Sequence, residues 1–353
     1  MDLRPSDEQA QLVDAFAALL GKESTSQRVR DAEPLGFDPD LWAMLGEMGV
    51  PAMAVAEADG GWGASMLDLE LAAEVVGANL ASAPVIETQV AARTLARLGP
   101  AGADLLAAVL AGERMVTMCP RRCSGPVAAM VPAGAVATDV LVFDGDRLLS
   151  VAIGQGRVVP ENLGSMPVAD IEIHEPTVLA TGDEARVAFE SGLDDWLVLL
   201  AGAMVGMTRR SLEIGVDYVR EREAFGQKIG AFQAIGHRLA DCKAAYDGAE
   251  LLARQAAWAH VEEPDRYAEL AAMAFAFASE TARDTSYWSL HFHGGYGFML
   301  EYDIQLYYRR SRAWANVVMD SRRAYRRVTD RRYGPAPTTA ANPGATSTRG
   351  VAR

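Results

Sequence analysis

Cysteine and histidine are scarce in this chain of 353 residues, and their scarcity excludes two classes of protein. Three cysteines, Cys119, Cys123 and Cys242, are too few for a disulfide framework in a chain of this length. Cys119 and Cys123 stand four residues apart, but no second pair of cysteines or histidines follows at metal-ligand spacing. We therefore expect no zinc site and no other metal centre.

Basic residues are also in the minority, since 33 Lys and Arg stand against 47 Asp and Glu and leave a net charge of −14. Such a chain is poorly suited to nucleic acid or an anionic membrane, although a local arginine cluster can still bind an anionic ligand. Long hydrophobic runs are absent too, and residues 1–8 lack the apolar core of a signal peptide. We expect a cytoplasmic protein that binds neither nucleic acid nor membrane.

The hydrophobic pattern divides the chain into three folded units and a tail. Residues 1–112 are predicted to form an N-terminal helical domain, because Ser6, Asp7 and Glu8 make a helix-capping start and apolar residues follow at helical spacing. Further helices are expected there at 38–48, 66–80, 88–98 and 101–111. The tail, 333–353, has Pro, Ala, Thr and Gly without periodicity, which predicts disorder.

Residues 113–190 are predicted to form a small, degenerate middle β domain. Short apolar runs rich in Val and Ile alternate there with turn residues such as Gly-Asp and Gly-Gln-Gly, a pattern typical of antiparallel strands. We expect strands at 115–118, 127–131, 140–143, 148–153, 170–173 and 185–189. No other part of the chain is expected to depart from helix.

Residues 191–332 are predicted to form a C-terminal four-helix bundle. Apolar residues recur there every three to four positions, and the intervening loops are short. The long helices are expected at 196–220, 227–260, 267–291 and 320–332. The fold class is therefore mainly α with a small β domain.

A stretch of twelve residues, 222–233, joins the first two of these helices. Arg222 stands before the turn Phe225-Gly226, and Gln233 follows in the first turns of the next helix. A planar guanidinium donates in a fixed fork that suits a diphosphate, and the glutamine offers a second polar arm. On these residues alone, two interpretations stay open: a diphosphate grip, or a helix corner with a solvated arginine.

A second segment favours the first interpretation. The run Gly-Gly-Tyr-Gly-Phe at 294–298, with Glu-Tyr at 301–302, combines with 222–233 into a pair that closely resembles the C-terminal signatures of the acyl-CoA dehydrogenase family. The resemblance extends from Asp7 to about Arg332. It implies the family's fold, with N-terminal helices, a middle β domain and a C-terminal helical bundle. It also implies FAD as cofactor, an acyl-CoA thioester as substrate of an α,β-desaturation, and electron-transfer flavoprotein as electron acceptor.

The resemblance also implies which residues bind the cofactor. In the family the two segments embrace the ADP half of FAD, and one subunit lends them to the FAD of its neighbour. The matching positions in this chain are Arg222, Phe225, Gln233, His291, Gly294 and Gly295. His291 stands where the family usually has Gln, and its imidazole can still donate one hydrogen bond to a phosphate or ribose.

The family's catalytic base does not have a counterpart in this chain. A carboxylate must remove the α-proton of the thioester, and the family places this glutamate in one of two positions. Counting without gaps puts Trp196 at the first and Val318 at the second. Asp195 precedes Trp196, but one residue along a helix is about 100° around it. Asp320 lies two residues past the second position and would serve only in a rebuilt loop.

The residues that hold the flavin ring in the family are also missing. The family has a Thr-Glu-Pro and Gly-Ser-Asp stretch after the first strand of its middle domain, and a Trp-x-Thr or Trp-x-Ser segment further on. The first slot here reads Thr-Met-Cys-Pro-Arg-Arg-Cys-Ser-Gly-Pro at 117–126, and no Trp-x-Thr occurs from 114 to 190. The chain thus keeps what it would lend to a neighbour and lacks what it would use for itself.

This division leads to one main hypothesis and two alternatives. The main hypothesis is a non-catalytic subunit of an α2β2 acyl-CoA dehydrogenase that shares FAD with a homologous catalytic subunit. The resemblance suggests CoA thioesters of steroid side chains as the substrate class. The alternatives are a competent homo-oligomer in which Asp195 or Asp320 is a relocated base, and a flavin-free binding or scaffold protein of the same fold.

Overall fold

The computed structural model describes residues 3–154 and 156–334. N-terminal helices, central β-sheets and a helical C-terminal domain follow one another along the chain, so the predicted fold class is confirmed. Across these two ranges, no helix is both long and apolar enough to cross a membrane. The predicted disorder of the tail concerns 333–353, of which 335–353 lie outside the described residues.

The N-terminal part of the described chain is helical. Ser6 caps its first helix, because the Ser6 hydroxyl accepts from the N–H of Gln9 and the Gln9 side chain accepts from the N–H of Ser6. The short helices α2 and α4 carry too little periodicity to be predicted. The helices are α1 Asp7–Glu23, α2 Ser26–Asp31, α3 Pro39–Glu47, α4 Val50–Met53, α5 Met66–Ala78, α6 Val85–Arg97 and α7 Ala103–Leu110.

Two small sheets form the middle of the chain. One has the strand order β1-β3-β4-β7 and the other β2-β6-β5. Most neighbours pair in antiparallel fashion, but β1 and β3 are parallel, which corrects the expectation of a purely antiparallel unit. The strands are β1 Val116–Met118, β2 Val127–Val131, β3 Asp139–Asp144, β4 Arg147–Ala152, β5 Arg157–Val158, β6 Ala169–Glu172 and β7 Thr177–Thr181.

The predicted strand at 185–189 is wrong. These residues belong to α8, Gly182–Glu221, so the helical part begins at 182 rather than at the predicted boundary of 190. Ala185, Ala188 and Phe189 are buried, and their spacing of three and one is that of a single helix face. A short apolar run is compatible with a strand and with a helix. Residues 185–189 are helical because they continue into the long helix α8.

The C-terminal part has five helices in the described chain rather than the four expected. The unpredicted helix is α11, whose arginines and tyrosines conceal a face of buried residues that includes Leu306, Tyr307 and Arg310. A small antiparallel hairpin, β8 Glu223–Ala224 and β9 Gln227–Lys228, also departs from the expectation that this part is entirely helical. The remaining helices are α9 Gln233–Glu262, α10 Pro264–Phe292, α11 Ile304–Val318 and α12 Ser321–Tyr333.

Helix α8 is the centre of the core and packs against α5, α6, α9, α10 and α11. Its contact with α5 is so close that a Cβ on Gly206 would lie 1.8 Å from the carbonyl oxygen of Glu74. Such a contact fixes α8 against the N-terminal helices. The same rigid helix therefore positions Trp196 in the protein interior and Arg222 at its exposed C-terminal end.

Candidate functional site

Arg222 lies exposed at the C-terminal end of α8, where the chain turns through the β8–β9 hairpin. The carbonyl of Arg222 accepts from the N–H of Ile229 at 2.8 Å and closes the hairpin. At its tip Phe225 and Gly226 both have positive φ, 53° and 80°. The Phe225 side chain is 95% exposed. A fully exposed phenylalanine in a left-handed conformation is uncommon and points to a function at this turn.

Three helix ends meet at this end of the bundle. The Tyr218 ring of α8 stacks on the His293 ring at the end of α10, with centroids 3.9 Å apart. The Arg238 guanidinium, near the start of α9, lies 4.5 Å from the centroid of the Trp288 ring in α10. We call this region, where α8 and α10 end and α9 begins, the clamp end. It carries all the predicted cofactor-binding residues, namely Arg222, Phe225, Gln233, His291, Gly294 and Gly295.

The clamp end presents hydrogen-bond donors to solvent. Arg222, Gln233 and His291 are exposed, and no carboxylate of the described residues forms an ion pair with Arg222. Gly294 adopts a φ of 60°, which a glycine permits without strain. A free guanidinium fork, a carboxamide and an imidazole are the donor types that bind phosphate oxygens. The arrangement can therefore hold a diphosphate that approaches from outside the subunit.

Large apolar side chains are exposed in the same segments as these donors. In the segment that follows α10, Phe298 is 62% and Leu300 is 72% exposed, and Tyr296 and Met299 are also exposed. We call these four side chains and Phe225 the apolar rim. A run of exposed aromatic and aliphatic side chains beside a polar site is typical of a surface that contacts another protein chain.

Trp196 and Val318, the two positions predicted for the family's base, are buried and line one cavity. The cavity has a volume of about 40 Å³ and lies between α6, α8 and α11. Trp196 is 1% exposed and is among the largest fully buried side chains. A space of this size holds roughly three water-sized groups, so a thioester does not fit beside the indole.

Asp195, the residue before Trp196, belongs to a network of ion pairs and hydrogen bonds. Its carboxylate accepts from Arg93 Nε at 2.7 Å, from Arg97 Nη2 at 2.5 Å and from the Tyr267 hydroxyl at 2.8 Å. Burial would raise the pKa of Asp195, but Arg97 and Arg93 outweigh burial and lower the pKa to about 2. A carboxylate with so low a pKa and three donors is a poor proton acceptor. Asp195 is a structural ion-pair partner.

Asp320 is an N-cap. Its carboxylate accepts from the N–H of Arg323 at 3.0 Å, at the first turn of α12. The same side chain lies 3.6 Å from the Arg323 guanidinium. The first contact is a helix cap and the second an exposed ion pair one turn along the chain. The two aspartates named as relocated bases thus have structural partners of their own.

Arg121 lies in 117–126, the stretch that the sequence analysis matched to the family's ring-binding residues. Its Nη1 donates to the carbonyl of Val317 at 2.7 Å, and its Nη2 donates to the carbonyls of Ala129 and Met130, each at 2.5 Å. One guanidinium therefore ties β2 to the C-terminal end of α11. The sequence alone did not predict this contact between 117–126 and α11.

Two charged residues of the cavity escaped the sequence analysis. Glu87, in the first turn of α6, lines the cavity, and burial raises its pKa to about 7. Arg310, on α11, also lines it and is 1% exposed. Their separation of 223 positions hides the pair, and α11 itself was not predicted. The only signal in the sequence is the position of Arg310, which lies at helical spacing from the apolar residues of α11.

Models of one protein family match both helical parts of the chain. The model described as "Acyl-CoA dehydrogenase, N-terminal domain" matches residues 6–113. The model described as "Acyl-CoA dehydrogenase, C-terminal domain" matches residues 188–315. The second match contains the clamp end, and residues 114–187, which contain the Arg121 slot, lie between the two matches.

Individual relatives have similar lengths. The chain is 28% identical over 326 residues to the acyl-CoA dehydrogenase IpdE2 of Mycolicibacterium smegmatis, covering 92% of this chain and 98% of that relative. It superposes with a TM-score of 0.84 and 25% identity on a chain of the ChsE4-ChsE5 complex from Mycobacterium tuberculosis, covering 95% and 100% of the two chains. With the steroid ACAD Tcur3481-Tcur3483 the TM-score is 0.83 at 25% identity, covering 92% and 97%.

Proposed function

The chain belongs to the acyl-CoA dehydrogenase family of oxidoreductases, and we propose that it is the non-catalytic subunit of a heteromeric member. It would assemble with a homologous subunit that holds the flavin ring, the catalytic glutamate and the thioester. Its own contribution would be the clamp end, which binds the diphosphate half of the partner's FAD. The α2β2 assembly named in the sequence analysis is the form we propose.

One observation carries this proposal: the two sets of family positions differ completely in accessibility. The exposed residues Arg222, Phe225 and His291 lie on the surface of the clamp end. Trp196 and Val318 are buried in a cavity of about 40 Å³. A subunit with this distribution can serve a neighbour's cofactor but has no room for substrate at its own base positions.

Proteins of this family bind FAD, and the donors of this chain fit one half of it. Arg222, Gln233 and His291 supply the contacts that a diphosphate requires. The ring half would lack its usual contacts, because the family's ring-binding residues are missing from 117–126 and the Arg121 guanidinium in that stretch bonds to Val317. FAD supplies the hydride acceptor of the family's reaction when it is bound. This chain's residues would fix its position from across a subunit boundary.

The apolar rim supports the choice of partner. Phe225, Phe298 and Leu300 are exposed in the two segments that carry or adjoin the donors in sequence, so we expect a second chain that binds the clamp end to cover them too. Two of the similar structures are named as pairs of proteins, ChsE4-ChsE5 and Tcur3481-Tcur3483. One of them is named a steroid ACAD, and we propose a CoA thioester of a steroid side chain as the substrate of the complex. Electron-transfer flavoprotein is the proposed electron acceptor and the cytoplasm the proposed location.

Co-expression with a homologous acyl-CoA dehydrogenase tests the proposal. Candidate partners are proteins that carry an intact Thr-Glu-Pro stretch and the family's glutamate. The expected result is a stable complex with flavin absorbance and dehydrogenase activity, whereas this chain purified alone is flavin-poor. Stoichiometric FAD in the isolated chain would favour the homo-oligomer. A colourless chain that forms no complex with any homologue would favour the scaffold.

A further inference from the structure

The cavity between α6, α8 and α11 contains a buried guanidinium, two of whose three nitrogens lack a hydrogen-bond acceptor in the described part of the chain. Arg310 is 1% exposed, and its Nη1 donates to the carbonyl of Leu80 at 2.9 Å. Its Nε and Nη2 are buried and have no hydrogen-bond partner in the described part of the chain. The Glu33 carboxylate is 3.7 Å from Nη2 and bonds at 2.6 Å to Arg309 instead. Buried polar groups are nearly always paired, so these two donors require an explanation.

The two unpaired nitrogens form one edge of the guanidinium. Nε and Nη2 point in parallel from the same side of the planar group, which is the edge that binds both oxygens of a carboxylate. Burial lowers the pKa of Arg310 to about 10, so the group is still a cation near neutral pH. An anion with two oxygens matches this edge in charge and in geometry.

The Glu87 carboxyl is a second ionisable group that lines the cavity. In the described part of the chain its side chain has no hydrogen bond to another residue, and burial raises its pKa to about 7. In its acid form this group donates one hydrogen bond and does not repel an anion. The rest of the lining is largely apolar and includes Trp196, Leu200 and Trp314. The cavity thus combines a cationic edge, an apolar wall and a carboxyl group that is a neutral donor below about pH 7.

We propose that this cavity binds a small free carboxylate of the size of acetate or propionate. Its two oxygens accept from Nε and Nη2 of Arg310, one of them also accepts from the Glu87 carboxyl, and its alkyl end lies against the indoles. The volume of about 40 Å³ is room for roughly three water-sized groups, which limits the ligand to a few heavy atoms. This site needs no flavin and no partner subunit, so it goes beyond the proposed function.

Thermal unfolding of the full-length chain with added sodium propionate tests the site, because a ligand of the folded state raises the unfolding temperature by mass action. Propionamide, the neutral isostere, and sodium chloride at equal ionic strength are the controls. The expected result is a saturable rise in unfolding temperature with propionate and none with either control. Equal effects of propionate and propionamide, or no effect of either, would overturn the proposal and leave water as the occupant.

Two variants locate the binding groups. Arg310→Met keeps most of the side-chain volume and removes the charge, and we expect propionate affinity to fall by about ten- to a hundredfold, the range for a lost charge-assisted bond. Glu87→Gln keeps a hydrogen-bond donor at the same place, and we expect it to retain binding. Unchanged affinity in a folded Arg310→Met protein would refute the site. The comparison of propionate with propionamide uses the unaltered chain, so it tests the proposal even if Arg310→Met does not fold.

Discussion

The clamp end and the cavity lie on the same helix and have opposite properties. Trp196 and Arg222 are separated by about 39 Å of α8 at 1.5 Å per residue. The end near Arg222 is exposed and rich in donors and apolar side chains, whereas Trp196 is buried beside a cavity of about 40 Å³. The residues predicted to match the family's cofactor site are those on the surface. An enzyme site that is divided between two chains can lose one half in one subunit without losing the other.

The difference also has a packing reason. Trp196 and Val318 belong to the continuous core, where an apolar side chain in place of a carboxylate removes a buried charge. Arg222 and Gln233 contribute little to this subunit's own core, because both are exposed. Stability alone therefore gives no reason for a guanidinium at 222. Its presence there points to a contact outside the monomer.

The largest expected effect is a difference in FAD content between the isolated chain and its complex with a catalytic homologue. We expect the chain purified alone to carry almost no FAD, because the residues proposed to hold the flavin ring are missing from its own middle domain. We expect its complex with a catalytic homologue to carry half as many FAD molecules as subunits. The flavin absorbance per subunit, measured after gel filtration, checks both expectations. One FAD per subunit in either sample would contradict the comparison.

Asp195→Asn should lower stability strongly and leave the chemistry intact. Removing one member of a buried ion pair costs roughly 3–5 kcal/mol, because Arg93 and Arg97 lose their counter-ion. The pKa of Asp195 is depressed from 3.8 to about 2, so its contribution to stability is present above pH 4 and is lost as the pH falls through 2. Urea unfolding at several pH values measures both effects.

The turnover of the Asp195→Asn complex provides the matching control. Turnover per bound flavin should be nearly unchanged if Asp195 is structural, and changing the partner's glutamate should abolish it. A large loss of rate in a folded, flavin-loaded Asp195→Asn complex would identify this aspartate as the base.

Local patterns predicted the regular elements, and they failed where the decisive partner is distant in sequence. The Ser6 cap and the periodic apolar residues of the long helices are properties of neighbouring residues, so they can be read directly. Helix α11 was missed because its arginines hide its buried face, and Arg310 is itself part of that face. The stretch 185–189 was assigned to the wrong element because short apolar runs fit both periods.

The candidate site shows the same limit. The residues of the clamp end could be named from two short motifs, and the absence of a carboxylate at Trp196 and Val318 could be found by counting. The shared cavity could not be predicted, because it depends on α6, α8 and α11 coming together. The role of Arg121 depends likewise on Val317, which is distant along the chain. A single sequence gives no direct information on contacts between residues that are far apart along the chain.

Arg222→Ala sharpens the comparison at the clamp end. A charge-assisted contact to a diphosphate contributes roughly 1.5–3 kcal/mol, so FAD affinity of the complex should fall by about ten- to a hundredfold. The unfolding free energy of the isolated chain should hardly change, since Arg222 is exposed. Fluorescence titration of the deflavinated complex with FAD measures the affinity.

The matched control for this prediction is Arg186→Ala. Arg186 is an exposed arginine near the opposite end of α8, where it pairs with Asp183 at 3.0 Å. We expect its removal to leave FAD affinity unchanged. Equal losses in the two variants would mean that general charge, rather than the clamp end, determines flavin binding.

The smallest effect concerns Asp320, and it decides whether the second base position is lost or has moved by two residues. As the N-cap of α12, Asp320 accepts from the N–H of Arg323, and asparagine can replace it in this role. Asp320→Asn should therefore leave both stability and turnover of the complex nearly unchanged, whereas Asp320→Ala should lower stability by about 1 kcal/mol and leave turnover per flavin intact. If Asp320 were the base, Asp320→Asn would abolish turnover although stability stayed normal, because asparagine keeps the cap but cannot accept the α-proton. Steady-state rates and urea unfolding of the two variants distinguish these cases. If Asp320→Asn abolishes turnover while FAD content and stability stay normal, this chain carries a catalytic residue and is not the non-catalytic subunit.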